Sequence, residues 1–274
     1  MTGRPTRSLR RGAALLAAGL ATVGRTAAAP AASAAPAASA APAASAAPAP
    51  AVAAPAASAA PAPAVAADHG GRCANGYVGL TFDDGPSATT DQLLAALTSH
   101  HLRATMFDQG NNSEANPDLV RAERRAGMWI GNHTFTHPHL TQLGEPGTFE
   151  EITSTQWVLR DLTGREPTLF RPPFGETNDQ VRADEDRIGV LEVLWTVDSQ
   201  DWNGATVDQI VAAAHTLQPG GIILMHDWPP NTIQAVPLIA RDLAARGLCP
   251  GRIAHTPREI PFGSQVFHAV AVRP

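Results

Sequence analysis

Two adjacent carboxylates, Asp83 and Asp84, follow an apolar run and precede a turn. Residues 77–82 (YVGLTF) have β-strand composition and Gly85-Pro86 ends the run, so both acids lie at the carboxyl end of a predicted strand, where parallel α/β folds form active sites. Because neighbouring strand residues point to opposite faces, we expect different tasks for the two acids, one binding a cation and the other transferring protons. The alternative is that Asp-Asp-Gly-Pro is only a solvated turn.

A pair of histidines follows a second apolar run. His133 and His137 have the i and i+4 spacing that lets two imidazoles on one predicted helical turn bind one metal ion. Pro138 should end that turn. The residue after His133 is threonine where zinc proteases carry glutamate, so the two adjacent acids are the available bases. Taken alone, such a pair is more often found on a surface or in a core, and His139 is a competing ligand.

Three further apolar runs also end in polar residues. Arg171 ends one run and precedes two prolines, whose rigid backbone suits a main-chain N–H that must be held for an oxyanion. A stiff connection with a surface arginine would explain the same residues. Asp201 follows the second run, and His226 ends the third, where it is either a satisfied core residue or a catalytic acid. Polar residues at five strand ends indicate function, because stability requires apolar residues there.

The elements that must position these residues alternate between apolar runs and amphipathic segments. We predict strands at residues 77–82, 104–107, 128–131, 168–170, 191–197 and 222–225, and helices at 89–100, 118–126, 149–162, 207–217 and 233–246. Repeated β-then-α order predicts a parallel sheet of the α/β class, either open or closed into a barrel.

The first part of the chain predicts two segments ahead of the folded domain. Residues 1–29 contain five arginines and no acid. They include an apolar stretch at 13–23, shorter than the about 20 residues of a membrane span, and small residues at 27–29, which together indicate a cleaved secretory signal. The Arg10-Arg11 pair leaves both the Sec and the twin-arginine routes open. Residues 30–67 repeat Ala, Pro and Ser without any charge and predict a disordered, extended linker.

The remaining residues, 68–274, suit a single domain with a sizeable core. Without the five arginines of the signal the formal charge falls from −5 to about −10, which argues against nucleic acid and anionic membranes as partners. Cys73 and Cys249 are the only cysteines, and in an exported chain they predict a disulfide, the alternative being two buried thiols. We expect no membrane span in the mature chain and a monomer.

Five motifs occur in order along the chain, at residues 81–86 (TFDDGP), 133–137 (HTFTH), 171–175 (RPPFG), 201–202 (DW) and 224–226 (LMH). They resemble the ordered motifs of the polysaccharide deacetylase family of carbohydrate esterases, the NodB-like domain, and the resemblance extends from Cys73 to about Cys249. Residues 75–79, 170–173, 198–202 and 226–228 are also similar to secreted actinobacterial acetylxylan esterases of this family. The resemblance implies an α/β fold, a distorted (β/α) barrel in a single catalytic domain.

The resemblance also implies a metal centre and a general base. Asp84, His133 and His137 would hold a divalent cation, for which Zn²⁺ is expected and Co²⁺ is the alternative, with one position open for water. Asp83 would take the proton of that water. Arg171 would orient Asp83, and its positive charge favours the ionised carboxylate.

The remaining roles follow from the same resemblance. The backbone N–H of Phe174 would hold the oxyanion, and because the role is main-chain, phenylalanine at a position where the family commonly has tyrosine should cost only the ring hydroxyl. His226 would protonate the leaving sugar oxygen, with Asp201 holding its imidazole. Trp202 and Trp228 follow catalytic positions and would contact the acetyl group or the sugar.

The other aromatic and imidazole side chains carry no predicted role in the reaction. We expect Trp129 and Trp157 in the core. We interpret five histidines as ordinary surface or structural residues: His100, His101, His215, His255 and His268.

The leading hypothesis is a secreted, metal-dependent esterase that removes O-acetyl groups from acetylated xylan. The same residues could act on N-acetyl groups of chitooligosaccharides or peptidoglycan, because both hydrolyses pass through similar tetrahedral states. A non-catalytic carbohydrate-binding protein on the same scaffold is a third hypothesis. The presence of both acids and all three histidines of the motifs argues against it.

Overall fold

The computed structural model describes residues 73–253 and 265–266, so the predicted signal peptide, the linker and residues 68–72 lie outside the described residues. The strands are β1 (Tyr77–Gly85), β2 (Thr105–Asp108), β3 (Trp129–Asn132), β4 (Leu169–Phe170), β5 (Leu191–Val193), β6 (Val197–Asp198), β7 (Ile222–His226), β8 (Cys249–Pro250) and β9 (Gln265–Val266). The helices are α1 (Thr90–Ser99), α2 (Gly110–Ala115), α3 (Pro117–Arg125), α4 (Gly147–Thr163), α5 (Asp179–Ile188), α6 (Val207–His215) and α7 (Pro230–Ala245). None of these helices combines the length and apolar character that a membrane crossing requires.

The strands form one parallel sheet in the order β6-β7-β1-β2-β3-β4-β5-β9, with β8 paired to β1. Six strand spacings separate β6 from β5, which would be about 29 Å in a flat sheet. The chain nevertheless passes directly from Val193 in β5 to Val197 in β6, a span of at most about 14 Å. The sheet must therefore curl until its ends approach, which confirms the predicted α/β fold with a distorted barrel.

The central strand, β1, has two differently packed faces. One face is buried in the core against α1, α6 and α7 by three apolar side chains, Val78, Leu80 and Phe82. Thr81 and Asp83 alternate with them and face the barrel interior, where Arg171 Nη1 donates to Thr81 Oγ1 (2.8 Å) and to Asp83 Oδ1 (2.7 Å). The period-2 pattern of the sequence therefore directs Asp83 into the barrel.

The predicted strand at 191–197 proves to be two strands in different parts of the sheet. β5 pairs with β4 and β9, whereas β6 pairs with β7. The residues between them connect the two ends of the curled sheet. A continuous apolar run does not reveal such a break, because each half is a buried strand on its own.

The sequence prediction omitted two helices, α2 and α5. α2 (GNNSEA) consists largely of weak helix formers, and a tertiary hydrogen bond from Gly110 N–H to the Thr134 carbonyl (2.9 Å) fixes its start. α5 carries readable end signals, since the Asn178 side chain caps its first turn and Gly189 (φ 84°) ends it. Its charge-rich sequence lacks the apolar periodicity on which the prediction relied.

The prediction of a core position is wrong for Trp157, which is 58% exposed on the outer face of α4. The buried positions of this helix include Ile152 and Leu159, on its other side. Trp129 at the start of β3 is partly buried, and the guanidinium carbon of Arg103 lies 4.3 Å from the centre of its ring. A tryptophan in an amphipathic segment therefore indicates the core only when its position matches the buried face.

The predicted disulfide between Cys73 and Cys249 is present, and the two Cα atoms lie 5.3 Å apart. It closes a loop with a sequence separation of 176 residues. We expect a Cys73→Ala/Cys249→Ala variant to lose up to about 5 kcal/mol of unfolding free energy, because the unfolded chain regains the entropy that this loop closure removes. Urea denaturation of the variant beside the oxidised wild-type protein measures the difference. Equal unfolding free energies would contradict a stabilising role for the disulfide.

Candidate active site

A β-bulge at the end of β1 turns both adjacent acids towards one cleft. In the ladder with β2, Asp83 and Gly85 pair with consecutive residues, so Asp84 is the extra residue, and its φ is 70°. The expectation that the two side chains point to opposite faces is wrong, since Asp83 Oδ2 and Asp84 Oδ1 each lie 3.7 Å from His133 Nε2. The reason is that an inserted residue interrupts the alternation of a strand.

His133 and His137 lie in an irregular loop after β3, and the predicted helical turn is wrong. Thr134 and His137 have φ angles of 65° and 60°, which a right-handed helix cannot contain. The Glu151 carboxylate on α4 holds the loop by accepting main-chain hydrogen bonds of 2.9 and 2.8 Å from two consecutive residues. The loop brings the two imidazole rings together, with centroids 4.9 Å apart.

Asp84, His133 and His137 offer a set of metal ligands whose donor atoms all lie within 4.8 Å of one another. Asp84 Oδ1 is 3.5 Å from His137 Nε2 and 3.7 Å from His133 Nε2. These distances are long for hydrogen bonds and close to the about 3.4 Å between ligands of a tetrahedral zinc ion. His133 Nδ1 donates to the Arg171 carbonyl oxygen (2.7 Å), which directs an unprotonated Nε2 at the site. The donor set therefore fits a divalent cation.

The Asp84 carboxylate is held by two further donors. Gln109 Nε2 donates to Oδ1 (2.7 Å) and Trp228 Nε1 donates to Oδ2 (3.1 Å). Burial alone would raise the pKa of Asp84, but the nearby histidines and Trp228 lower it below its ordinary value. Gln109 was not predicted as a site residue, although it is a polar residue directly after β2, the position at which the other site residues were predicted.

Asp83 forms an ion pair with Arg171 in the barrel interior, with Arg171 Nη1 2.7 Å from Asp83 Oδ1. Arg171 is fully buried, its Nε donates to the Val193 carbonyl (3.0 Å), and its guanidinium carbon lies 4.3 Å from the centre of the Phe107 ring. Burial lowers the pKa of Arg171, and the neighbouring Asp83 opposes that effect. Arg171 therefore fixes one oxygen of Asp83 and leaves the other facing His133.

Asp201 and His226 form a second pair, and His226 at the end of β7 lies directly beside Asp83 of β1 in the parallel ladder. His226 Nδ1 donates to Asp201 Oδ1 (2.8 Å), and Asp201 Oδ2 accepts from the His226 main-chain N–H (2.7 Å) and from Thr232 Oγ1 (2.6 Å). Burial disfavours the imidazolium, but Asp201 and the acids of β1 raise the pKa of His226 above its ordinary value. His226 Nε2 lies 4.0 Å from Asp84 Oδ2 and faces the metal-ligand set.

A cleft of about 380 Å³ is lined by five of the residues described above: Asp83, Asp84, His133, His137 and His226. It is also lined by Pro172, Phe174, Trp195, Asp198, Trp202 and Leu224. Phe174 and Trp202 were predicted as site residues, whereas Trp195 and Asp198 were not singled out. Trp195 follows β5 in the connection to β6, so the unrecognised break in the 191–197 run explains why it was missed.

Phe174 is exposed at the cleft and has a left-handed backbone, with φ 61°. Its ring stacks on His139 at 4.1 Å and meets His137 edge-on at 4.7 Å. His139 Nδ1 lies 2.9 Å from Glu176 Oε2, so this imidazole is engaged outside the metal-ligand set. The packing fixes the orientation of the Phe174 ring at the edge of the cleft.

The histidines without a predicted role lie away from the cleft where the structure describes them. His100 and His101 are exposed after α1. His215 Nδ1 lies 2.6 Å from Asp242 Oδ1 in an exposed ion pair between α6 and α7. His255 and His268 lie outside the described residues.

Known proteins similar to this chain are carbohydrate esterases and deacetylases. The polysaccharide deacetylase family profile matches residues 71–193. A family 4 carbohydrate esterase from Streptomyces lividans, solved in complex with acetate, is 53% identical with a TM-score of 0.67, and the match covers 72% of this chain and 98% of that chain. A bifunctional xylanase/xylan deacetylase of Cellvibrio japonicus is 44% identical over 67% of this chain and 28% of the relative.

Peptidoglycan-N-acetylglucosamine deacetylase PgdA of Listeria monocytogenes is 37% identical over 63% of this chain and 37% of its own length. The chain thus spans well under half of these two curated relatives, but nearly the whole of the Streptomyces esterase. Identity above one half over almost the complete length of a solved esterase agrees with the family profile and with the curled parallel sheet. The chain therefore belongs to the polysaccharide deacetylase family of carbohydrate esterases.

Proposed function

We propose that this chain is a secreted, metal-dependent esterase that removes O-acetyl groups from acetylated xylan. The observation that carries the proposal is one cleft lined by the three metal-ligating side chains, by Asp83 and by His226. The buried Arg171 and Asp201 form ion pairs with Asp83 and His226, respectively. Xylan as substrate is supported by 44% identity to the xylanase/xylan deacetylase, against 37% to the peptidoglycan deacetylase.

The proposed cofactor is a divalent cation held by Asp84, His133 and His137, with Zn²⁺ preferred and Co²⁺ as the alternative. When bound, such an ion acts as a Lewis acid that polarises the acetyl carbonyl and acidifies water. Gln109 and Trp228 keep the Asp84 carboxylate turned towards the two imidazoles.

Asp83 acts as the general base in this proposal. Arg171 fixes its Oδ1 at 2.7 Å, so Oδ2 is free to take a proton from water as the water oxygen bonds to the acetyl carbon. The carbonyl oxygen gains negative charge in that step. The main-chain N–H of Phe174 is proposed to donate to it, because the left-handed backbone and the stacked His139 hold this residue at the cleft.

His226 acts as the general acid. Its Nδ1 donates to Asp201, and the raised pKa of His226 favours the imidazolium, whose Nε2 carries the second proton. The sugar oxygen receives this proton as the bond between that oxygen and the acetyl carbon breaks, and His226 is left neutral. Acetate and a free sugar hydroxyl are the products. Trp202 lines the cleft and is half exposed, which suits an apolar contact with the sugar, while Trp228 presents its ring beside the Asp84 carboxylate.

As the pH rises, an Asp201→Asn variant should begin to lose activity at a lower pH than the wild-type protein does. A group with a raised pKa stays protonated over a wider range, and its acid form is lost as the pH rises through that pKa. Removing the Asp201 charge lowers the pKa of His226, so the alkaline limb of the kcat/KM profile should move to lower pH. Thr232→Val, which removes one donor but keeps the carboxylate, is the matched control and should move the limb less. An unchanged alkaline limb in Asp201→Asn would contradict the role of His226.

Export of this domain is part of the same proposal. It is supported by the disulfide between Cys73 and Cys249, which persists in oxidising compartments, and by the signal-like sequence of residues 1–29.

The substrate is tested by acetate release from acetylated xylan, chitooligosaccharides and peptidoglycan, assayed side by side with the same metal-loaded preparation. We expect the highest kcat/KM on acetylated xylan. The observation that supports the competing hypothesis, N-deacetylation, is the similarity to PgdA. Release from the N-acetyl substrates alone would overturn the xylan assignment.

A further inference from the structure

A second cleft, of about 400 Å³, lies at the amino-terminal ends of the strands, and the active site lies at their carboxyl ends. Its lining includes Arg103 just before β2, Trp129 at the start of β3 and Thr168 just before β4. All strands of this sheet are parallel, so their amino-terminal ends lie on one side of the barrel. The catalytic residues lie on the other side, at the carboxyl ends of the strands. A four-residue strand such as β3 is about 13 Å long, and the two clefts have no lining residue in common.

Four arginines line this cleft, Arg103, Arg124, Arg165 and Arg252, and we call it the basic cleft. The arginines at 124, 165 and 252 are exposed, and none forms an ion pair with a side chain of residues 73–253. The one acid in the lining, Glu166, lies 3.1 Å from Arg160 on α4. The concave surface therefore carries a local positive charge in a protein of net charge −5.

Arg103 is fixed at the floor of the basic cleft. Its Nε donates to the Gly127 carbonyl (2.6 Å), and its guanidinium carbon lies 4.3 Å from the centre of the Trp129 ring. Burial, followed by repulsion from Arg124 and Arg252, lowers the pKa of Arg103. Like charges held this close raise one another's energy, and a bound anion would relieve that repulsion.

We propose that the basic cleft binds the carboxylates of an acidic polysaccharide. This binding site is separate from the catalytic centre and holds the enzyme on a uronate-bearing substrate. Guanidinium groups are planar forks that match carboxylates. The choice of a glycan among polyanions rests on the proposed function, in which the chain acts on a polysaccharide. Binding here would concentrate the enzyme on its substrate without adding a contact to the reacting ester.

Binding of the full chain to glucuronoxylan, to neutral xylan of matched length and to inorganic polyphosphate tests the proposal by isothermal titration calorimetry. We expect tighter binding to glucuronoxylan than to neutral xylan. The difference should shrink when ionic strength rises from about 0.01 M to about 0.15 M, because the screening length falls from about 30 to about 8 Å. Equal affinity for the two xylans at low salt would overturn the proposal, and so would tighter binding of polyphosphate than of glucuronoxylan.

Two variants are compared. Arg124→Gln/Arg165→Gln/Arg252→Gln removes three arginines of the basic cleft, and Arg125→Gln removes one arginine outside it. Arg125 is exposed on α3 beside Arg124 but does not line the cleft. Loss of three exposed ion pairs with the uronate carboxylates should weaken glucuronoxylan binding by about tenfold, or about twofold for each arginine, whereas Arg125→Gln should leave the binding almost unchanged. An equal effect of the two variants per arginine removed would show that only net charge matters and would overturn the site.

Both variants should release acetate from short, neutral acetylated xylooligosaccharides at the wild-type rate, because these residues lie outside the catalytic cleft. Failure of the wild-type protein to release acetate from any O-acetyl substrate, with arginine-dependent glucuronoxylan binding intact, would reject the proposed esterase activity and leave the binding site standing. Retained esterase activity with no arginine-dependent binding would reject the basic cleft alone.

Discussion

Replacing Asp83 by asparagine should lower turnover by about 10²- to 10⁴-fold, the usual contribution of a positioned general base. The substitution keeps the shape of the side chain and leaves Asp84, His133 and His137 unchanged. The variant should therefore still bind one equivalent of Zn²⁺, measured by equilibrium dialysis and elemental analysis. Turnover within about tenfold of the wild-type protein would contradict the assignment of the base.

Stability must be measured alongside turnover in Asp83→Asn. Arg171 is fully buried and would lose its anionic partner, so the unfolding free energy should fall by about 3–5 kcal/mol. Thr81→Val is the matched control, because it removes another acceptor of Arg171 Nη1 but keeps the carboxylate. This control should keep most of the turnover. A loss as large as that of Asp83→Asn would assign the effect to a displaced Arg171.

Replacing Asp84 by asparagine, or removing the metal with a chelator, should abolish turnover through loss of the cation. Asparagine is a weaker, neutral ligand, so metal affinity should fall and excess Zn²⁺ or Co²⁺ should restore part of the activity. Metal stoichiometry and turnover are measured together, with His133→Ala and His137→Ala expected to behave in the same way. The fold should largely survive, because the disulfide and the apolar core do not depend on the ion.

Trp228→Phe is the control for Asp84→Asn, because it removes the indole N–H that donates to Asp84 Oδ2 and keeps an aromatic ring. Its metal affinity should fall much less than that of Asp84→Asn. If Asp83→Asn lost the metal while Asp84→Asn retained it, the roles of the two acids would be reversed. A chelated protein that kept full turnover, with metal absence verified, would rule out a metal-dependent reaction.

The sequence alone was enough to predict the parallel α/β architecture and the strand ends that carry polar residues. Apolar runs of β1, β2, β3 and β7 were recognised within a few residues, because a buried strand must be apolar along its length. The disulfide was predictable from the cysteine count in a chain with a signal-like start. Family motifs then linked residues that lie far apart in the chain, which periodicity cannot do.

Only the tertiary structure decided how the side chains converge. The bulge at Asp84 depends on the ladder with β2, and the loop that contains His133 and His137 is held by Glu151 of α4, so neither is encoded in its own segment. The contact of Gln109 with Asp84 and the exposure of Trp157 likewise depend on neighbouring elements. Periodic patterns report how one element repeats along its own axis, whereas an active site is a set of distances between elements, and those distances arise only when the sheet curls and the elements pack.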